Sequence, residues 1–346
     1  MSTHLVFRLE EEGSHRNLKQ FEEPKPVIDR HEVLVKVRGI SLNYRDIVIA
    51  NGGYPFPNKE KVIPCSDAAG EVVEIGSSVE GLKVGDHVVA NFDVSNLYGP
   101  QSDWQHGHGG PIDGMLRQYV SLPGNAVVKI PKHAKLSFTE MASLVCTGTT
   151  AWNALYGNIP LKPGQTVLFQ GTGGVSITGL ILAKAAGATT IITSSSDKKL
   201  QLVTKKYGPD HVINYKTTPN WAAEAKRITA GRGVDHVFEN GGSGTIKQSI
   251  ECITMGGIIS VIGFLSEAKQ EEMPDVAGLA LSKGCVVRGI TVGSKQLLEE
   301  MVRFVVNREL RPPVEKTFRF STEEVIAAYD YLQSGTHIGK VCISLD

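Results

Sequence analysis

Thr166-Val-Leu-Phe-Gln-Gly171-Thr-Gly173-Gly174-Val-Ser176 sets an apolar run directly before a glycine cluster, and a helix-forming stretch comes immediately after. Glycines at such a junction let the chain turn tightly and bring backbone N–H groups close to a pyrophosphate, so the segment reads as strand, phosphate loop and helix start. Ser176 stands where the GxGxxG pattern has its third glycine, which breaks the literal motif but keeps a small side chain where helix meets strand. A structural turn uses glycine too, and the motif alone is weak. The residues downstream give it weight. Strands are predicted to begin near Gln165, Thr189, His211, Val234, Gly257 and Gly284, with helices over Val175 to Ala186, Asp197 to Tyr207, Trp221 to Ala230, Gly244 to Ile253 and Val276 to Ser282. This alternation signals βαβ units, and six strands fit the doubly wound parallel sheet of a Rossmann α/β domain.

A site for NAD usually carries an acidic residue about 20 positions beyond the glycines, on the ribose hydroxyl. Here the chain reads Ile192-Thr193-Ser194-Ser195-Ser196, then Asp197, Lys198 and Lys199. Hydroxyl donors and positive charge suit a 2′-phosphate, so NADPH is expected over NADH. The competing reading is that Ser196 or Asp197 caps the next helix and both lysines are solvated. Asp197, slightly late for a ribose acid, remains an objection to NADPH.

Moving outward, the first 130 residues change character. VLVKVRGISL, AAGEVVEIG, DHVVANF, RQYVSL and AVVKI are short strand candidates separated by Gly, Pro and Asp turns, which predicts a β-rich domain. Beyond the Rossmann segment come helices expected over Lys295 to Asn307 and Thr322 to Ser334, and a strand over Lys340 to Leu345 that is expected to rejoin the amino-terminal domain. Residues 93–114 read as a long polar loop.

With 346 residues the chain exceeds one ordinary hydrophobic core and suits two domains. Lys plus Arg and Asp plus Glu balance at 36 each, which removes the basic footprint of a nucleic-acid binder or a membrane-surface protein. The amino terminus lacks a basic segment followed by an apolar run, and the apolar stretch from Gly179 to Ile192 is interrupted by Lys184, so neither a secretory signal nor a membrane span is expected. Cys65, Cys146, Cys252, Cys285 and Cys342 form no CxxC pair and are expected to be reduced thiols in the cytoplasm.

Several segments together resemble the medium-chain dehydrogenase/reductase superfamily over nearly the whole chain: VRGISLNYRDIVIANGGY, VIPCSDAAGEVVEIGSSVEGLKVGDHVV, GPIDGMLRQYV, CTGTTAWNAL, LKPGQTVLFQGTGGVSI, HVINY, GRGVDHVFENGG, GGIISVIGF and HIGKV. The resemblance implies a GroES-like catalytic domain over residues 1–148, completed by 293–346, with the Rossmann domain at 149–292 between them. At the three positions where zinc members carry Cys, His and Cys, this chain has Asn43, Ser66 and Cys146, and residues 93–114 contain none of the cysteines of the structural zinc lobe. One ligand of three does not make a catalytic zinc site. The resemblance is therefore to the zinc-independent branch, similar to quinone oxidoreductases, enoyl reductases and an alcohol dehydrogenase-like subgroup. His106 and His108 suggest a metal, but read better as part of the polar loop; Cys146 reads as a small buried residue rather than a nucleophile.

Carried over residue by residue, the resemblance brings Asn43, Tyr44, Asp46, Tyr54 and Asp67 toward the cleft from the catalytic domain as the catalytic set. It places Gly171, Gly173, Gly174, Val175 and Ser176 at the pyrophosphate, and Ser194, Ser195, Lys199 and Tyr215 at the 2′-phosphate. Thr150, Gly241, Gly263, Phe264, Leu265 and Thr291 fall to the nicotinamide half, with Gly339 and Lys340 returning from the tail. Without zinc, hydrogen-bond donors must stabilise the charge that develops on the acceptor. Tyr54 is the leading proton donor and Tyr44 the second; alternatively either ring merely packs, and Asp46 merely holds the turn at Asn43. The expected activity is hydride transfer to an enone or quinone. Alcohol–aldehyde interconversion and non-catalytic NADPH binding are the alternatives. A homodimer is expected through the run from Cys285 to Val292, which resembles a pairing edge strand.

Overall fold

The computed structural model describes residues 2–345. The chain divides into two compact units, one built from residues up to 149 together with those from 292 onward, the other from residues 150–291. In chain order the first unit contributes strands β1 (Thr3–Leu9), β2 (Leu18–Pro24) and β3 (Glu32–Ser41), helix α1 (Tyr44–Ala50), strands β4 (Asp67–Ile75), β5 (His87–Ala90), β6 (Tyr119–Pro123) and β7 (Val127–Lys129), and helix α2 (Phe138–Ser143). A π-helical turn, Leu144–Gly148, leads into α3 (Thr149–Tyr156).

The second unit holds β8 (Thr166–Phe169), α4 (Gly174–Ala185), β9 (Thr189–Ser194), α5 (Asp197–Tyr207), β10 (His211–Asn214), α6 (Trp221–Ile228), β11 (Val234–Glu239), α7 (Ile246–Cys252), β12 (Ile253–Val261), α8 (Val276–Lys283) and β13 (Val286–Gly289). The tail adds α9 (Lys295–Asn307), β14 (Val314–Arg319), α10 (Thr322–Gln333) and β15 (Lys340–Ser344) to the first unit.

In the second unit six parallel strands lie in the order β10-β9-β8-β11-β12-β13, the doubly wound Rossmann arrangement, with the order reversing between β8 and β11. Both of those strands are buried along their whole length, as expected of strands covered on both faces. Helix α4 lies close enough to the sheet that a Cβ on Gly179 would come within 2.7 Å of the Phe169 and Phe238 rings. Close helix–sheet packing therefore depends on Gly179, a position the sequence motif did not single out.

The first unit is the β-rich, GroES-like one. Its main sheet runs β14-β15-β3-β4-β5-β7, with β6 also pairing β3, while β1 and β2 form a separate antiparallel ribbon. Val33, Val35, Val37 and Ile40 of β3 share one core with Val72, Val120, Val341 and Ile343. β15 pairs antiparallel with β3 and parallel with β14, so the tail does rejoin the amino-terminal part.

Differences from the sequence reading fall where patterns are short or exposed. Helices α1 and α2, of 7 and 6 residues, are too brief to display a helical period. β14 buries only Phe318 fully, so no apolar alternation marks it. β12 begins at Ile253 rather than Gly257. Residues 93–114 contain no helix or strand, only the isolated bridges Asp93–Gly107 and His108–Ile112. Among the described residues no helix is long and apolar enough to cross a membrane.

Candidate functional site

In the second unit, the loop after β8 has the geometry its glycines promised. Gly171 adopts φ +75°, and a Cβ on Gly171 or Gly173 would meet nothing within 4 Å. These glycines thus leave backbone open to a ligand rather than making room for protein. Helix α4 is preceded by Gly173, which offers no side-chain cap, as is also true of α7 behind Thr245, whereas α5, α6 and α8 are capped by Ser196, Asn220 and Asp275. An uncapped helix start of 12 residues, behind open glycines and at the switch point of the sheet, suits a pyrophosphate against Gly174, Val175 and Ser176. The Ser176 hydroxyl is already committed. It donates to the Gln170 carbonyl at 2.6 Å and accepts from Asn240 Nδ2 at 2.9 Å, which leaves only its backbone for a ligand.

At the end of β9, Ser194 is buried, Ser195 is exposed, and the Ser196 hydroxyl accepts from Lys199 N–H at 3.3 Å. Ser196 is therefore the helix cap, as the competing reading of this run has it, and Ser194 and Ser195 remain as candidate phosphate donors. Lys199 is half-buried beside them, and Tyr215, whose N–H donates to Ser194 O at 3.0 Å, is 39% exposed. Asp197 accepts from Asn214 Nδ2 at 2.7 Å.

After β11, the Gly241 N–H donates to Glu239 Oε1 at 2.9 Å and to Gln170 Oε1 at 3.0 Å, while Gly242 N–H donates to Glu239 Oε1 at 2.8 Å. Gly263 lies so close to Asn240 that a Cβ would come within 2.7 Å of its carbonyl oxygen. Phe264 and Leu265 stand mostly exposed, Phe264 on the wall of an open hollow of about 530 Å³. Thr150 is buried on α3 and Thr291 is half-buried at the unit's last residue. These residues fit a nicotinamide dinucleotide. The sequence reading missed Gln170, Glu239 and Asn240, which join the ends of β8 and β11.

The first unit gathers a different set. Asn43 opens α1, and its N–H donates to Asp46 Oδ2 at 2.8 Å. Its side-chain amide lies 3.4 Å from Ser66 Oγ, and its Oδ1 accepts from Lys340 Nζ at 2.6 Å. Lys340 also donates to the Leu42 carbonyl at 2.6 Å. Asp67 accepts from Ser66 Oγ at 2.6 Å and from the Cys146 N–H at 3.1 Å. All three ligand positions thus converge around Asp67. Burial raises the Asp67 carboxyl group, raises Asp46 to about 6 and pushes the Cys146 thiol up to about 12.

This donor set does not fit zinc. The amide oxygen is taken by an ammonium and the second donor is a hydroxyl, which leaves Cys146 as the one zinc-type ligand of the three. Among the described residues no group of three or more His, Cys, Asp or Glu side chains is placed to hold a metal ion. His106 faces Asp103 at 3.2 Å in an exposed pair, while His108 is buried, its Nδ1 at 3.2 Å from the Asp113 carbonyl, and burial pushes it down to about 4.

Tyr44, the first residue of α1, is 53% exposed. Tyr54 is half-buried against the core, and its hydroxyl oxygen accepts from Arg45 Nε at 3.0 Å. Gly339 adopts φ +83° where a Cβ would collide with the Pro313 carbonyl, and so delivers Lys340 into β15. Arg45 was not anticipated. Its place in Asn43-Tyr-Arg-Asp46 was visible, but not the direction in which its side chain runs.

Comparison with known proteins bears on both units. An alcohol dehydrogenase GroES-like domain profile matches residues 29–132, and a zinc-binding dehydrogenase profile matches residues 174–307. A zinc-type alcohol dehydrogenase-like protein of Schizosaccharomyces pombe is 42% identical over 344 residues, covering 96% of this chain and 98% of that one. A quinone oxidoreductase-like protein 2 homolog of Nematostella vectensis is 31% identical, over 90% of this chain and 81% of that one. Among solved structures, a Sinorhizobium meliloti protein provisionally named an alcohol dehydrogenase superposes with a TM-score of 0.90 at 35% identity, each chain covered in full.

Proposed function

The chain belongs to the medium-chain dehydrogenase/reductase superfamily of oxidoreductases, and from that premise we propose that it is an NADPH-dependent reductase of enones or quinones that works without zinc. The observation that carries the reading is that Asn43 and Ser66 stand at two of the three zinc-ligand positions, leaving Cys146 alone, with the buried Lys340 ammonium on Asn43. The quinone oxidoreductase-like relative supports the choice of acceptor.

Gly171 to Ser176 would hold the pyrophosphate, Ser194, Ser195 and Lys199 a 2′-phosphate, and Gly241, Gly263 and Phe264 the nicotinamide half. The bound cofactor supplies a hydride. Everything else is asked of the protein. An enone that accepts hydride at its β-carbon becomes an enolate, which needs a proton at the α-carbon and a donor at oxygen. Tyr54 is the proposed proton donor. Its hydroxyl suits a bond that strengthens as charge develops, a contribution that appears in kcat rather than in binding. A quinone draws its protons from water more readily and depends less on Tyr54. The protein is further proposed to be cytoplasmic and a homodimer paired through β13, the edge strand whose residues are nowhere fully buried.

The deciding experiment follows NADPH and NADH oxidation with a cyclic enone, a quinone and an aldehyde, before and after chelation, alongside metal analysis. Enone or quinone turnover that survives chelation is expected. Aldehyde turnover with stoichiometric zinc would replace the proposal with alcohol–carbonyl interconversion, and tight NADPH binding without any turnover would replace it with a binding protein.

A further inference from the structure

We infer that Arg45 is the positioning residue for Tyr54: it fixes the phenol oxygen and supplies the positive charge that stabilises the phenolate left when the proton departs. The inference rests on the reading of Tyr54 as proton donor. Arg45 Nε donates to the Tyr54 oxygen at 3.0 Å, and Arg45 Nη1 donates to the His108 carbonyl at 2.8 Å. Its guanidinium carbon lies 5.0 Å from the Tyr54 ring centroid and 5.1 Å from that of Phe92. Gly110 passes so close that any Cβ there would collide with Arg45 Nη2. Tyr54 is braced on its other side by Phe56, edge-on at 5.3 Å, and Phe56 stacks on Trp104 at 4.0 Å.

Two features separate this arrangement from an ordinary structural arginine. Arg45 makes no carboxylate contact within 4 Å among the described residues; its charge also favours the ionised form of the neighbouring Asp46, but its Nε–H is directed to the Tyr54 oxygen. A phenol oxygen has one proton to give and lone pairs to accept with. Because Arg45 Nε–H occupies a lone pair, the Tyr54 proton remains free to be donated. In the step itself the Tyr54 O–H bond breaks as the C–H bond at the substrate α-carbon forms, the electron pair stays on the phenol oxygen beside Arg45, and water later restores the proton. A planar guanidinium does this better than a flexible ammonium, since its fork is already fixed by the His108 carbonyl and by two aromatic faces. The loop that carries His108 and Gly110 thereby acts on the chemistry through Arg45 rather than by touching substrate.

The test is a double-mutant cycle on enone turnover with NADPH, using Tyr54→Phe, Arg45→Met and the pair, with NADPH affinity measured by fluorescence to confirm an intact cofactor unit. Tyr54→Phe is expected to lower kcat about 100- to 1,000-fold. Arg45→Met is expected to lower it about 10- to 100-fold, and the double variant to be no slower than Tyr54→Phe alone, because Arg45 acts through the hydroxyl already removed. Arg45→Lys, which keeps the stem and charge, should fall between wild type and Arg45→Met, and it carries the test if Arg45→Met does not fold. Wild-type kcat in both Arg45 variants, or losses that multiply in full in the double variant, would overturn the role of Arg45 while leaving Tyr54 standing. A silent Tyr54→Phe would instead remove the donor, and the positioning role with it.

Discussion

Glu239 in the Rossmann unit and Asp46 in the GroES-like unit are both buried carboxyl groups beside a turn, and their surroundings are opposite. Glu239 is completely shielded from solvent, yet both its oxygens are filled by neutral donors: the amides of Gly241 and Gly242, the Gln170 side chain and the hydroxyls of Thr245 and Ser249. Asp46 has one donor, the Asn43 N–H, and its Oδ1 has no partner among the described residues. Its charge is compensated first by Arg45 and then by the Lys340 ammonium, which it shares with Asp67. A fully satisfied network fixes a shape, and in the Rossmann unit that shape is the loop expected to carry the nicotinamide half. A partly satisfied one leaves charge poised, and in the GroES-like unit it lies where zinc relatives keep their metal.

The largest effect that would break this contrast comes from Lys340. Lys340→Met strips the Leu42 carbonyl and Asn43 Oδ1 of their buried donor and removes the largest compensating charge on Asp67, which should cost about 3–5 kcal/mol of stability at pH 7.5. Urea unfolding measures it, and an unchanged midpoint would show that the network does not depend on the ammonium. Next comes a charge that is not deeply buried. Lys199→Ala should weaken NADPH by about 1.5–3 kcal/mol while sparing NADH, as read from binding titrations; equal losses would place Lys199 outside the phosphate pocket. Glu239→Gln presents an amide N–H₂ to neighbours that are themselves donors, and a loss of about 1–3 kcal/mol is expected. If calorimetry shows no loss, the network is looser than its geometry implies.

The smallest effect is the most diagnostic of the difference between units. The folded-state value of Asp46, about 6, lies above its ordinary 3.8. Stability from its protonated form is therefore fully present below about pH 4 and is lost as pH rises through about 6. Asn cannot ionise, so Asp46→Asn should raise the Tm relative to wild type more at pH 8 than at pH 5.5, by about 1–2 °C or about 1 kcal/mol. Parallel pH curves for the two proteins would mean that Asp46 ionises as freely in the fold as outside it.

How much of this was written in the sequence differs between the two units. In the Rossmann unit most strand starts and helix spans are set by local composition, because short apolar runs alternate with helix-forming stretches between turn residues. Even there, contacts escaped the reading: Ser176 looked like a substitute glycine, whereas its hydroxyl ties β8 to Asn240 and the close packing falls to Gly179. In the GroES-like unit the site residues Asn43, Asp46, Asp67 and Lys340 were named from resemblance, but nothing local says that Lys340 meets Asn43 or that Arg45 reaches Tyr54. Those meetings depend on register across a sheet and on the path of a loop with no regular structure.

β15 has a consequence for how the protein is made. It is an interior strand of its sheet, between β14 and β3, and the residue that leads it, Lys340, bonds a carbonyl 298 positions earlier in the chain. On the ribosome, residues 150–291 have all emerged before residue 340 is even synthesised, so the Rossmann unit is free to fold while the other waits with the Gly39–Ser41 end of β3 lacking its β15 partner. Nascent chains stalled short of residue 340 would bind cofactor before they could organise Tyr54's unit, and any cleavage just before β15 would return the finished molecule to that half-built state.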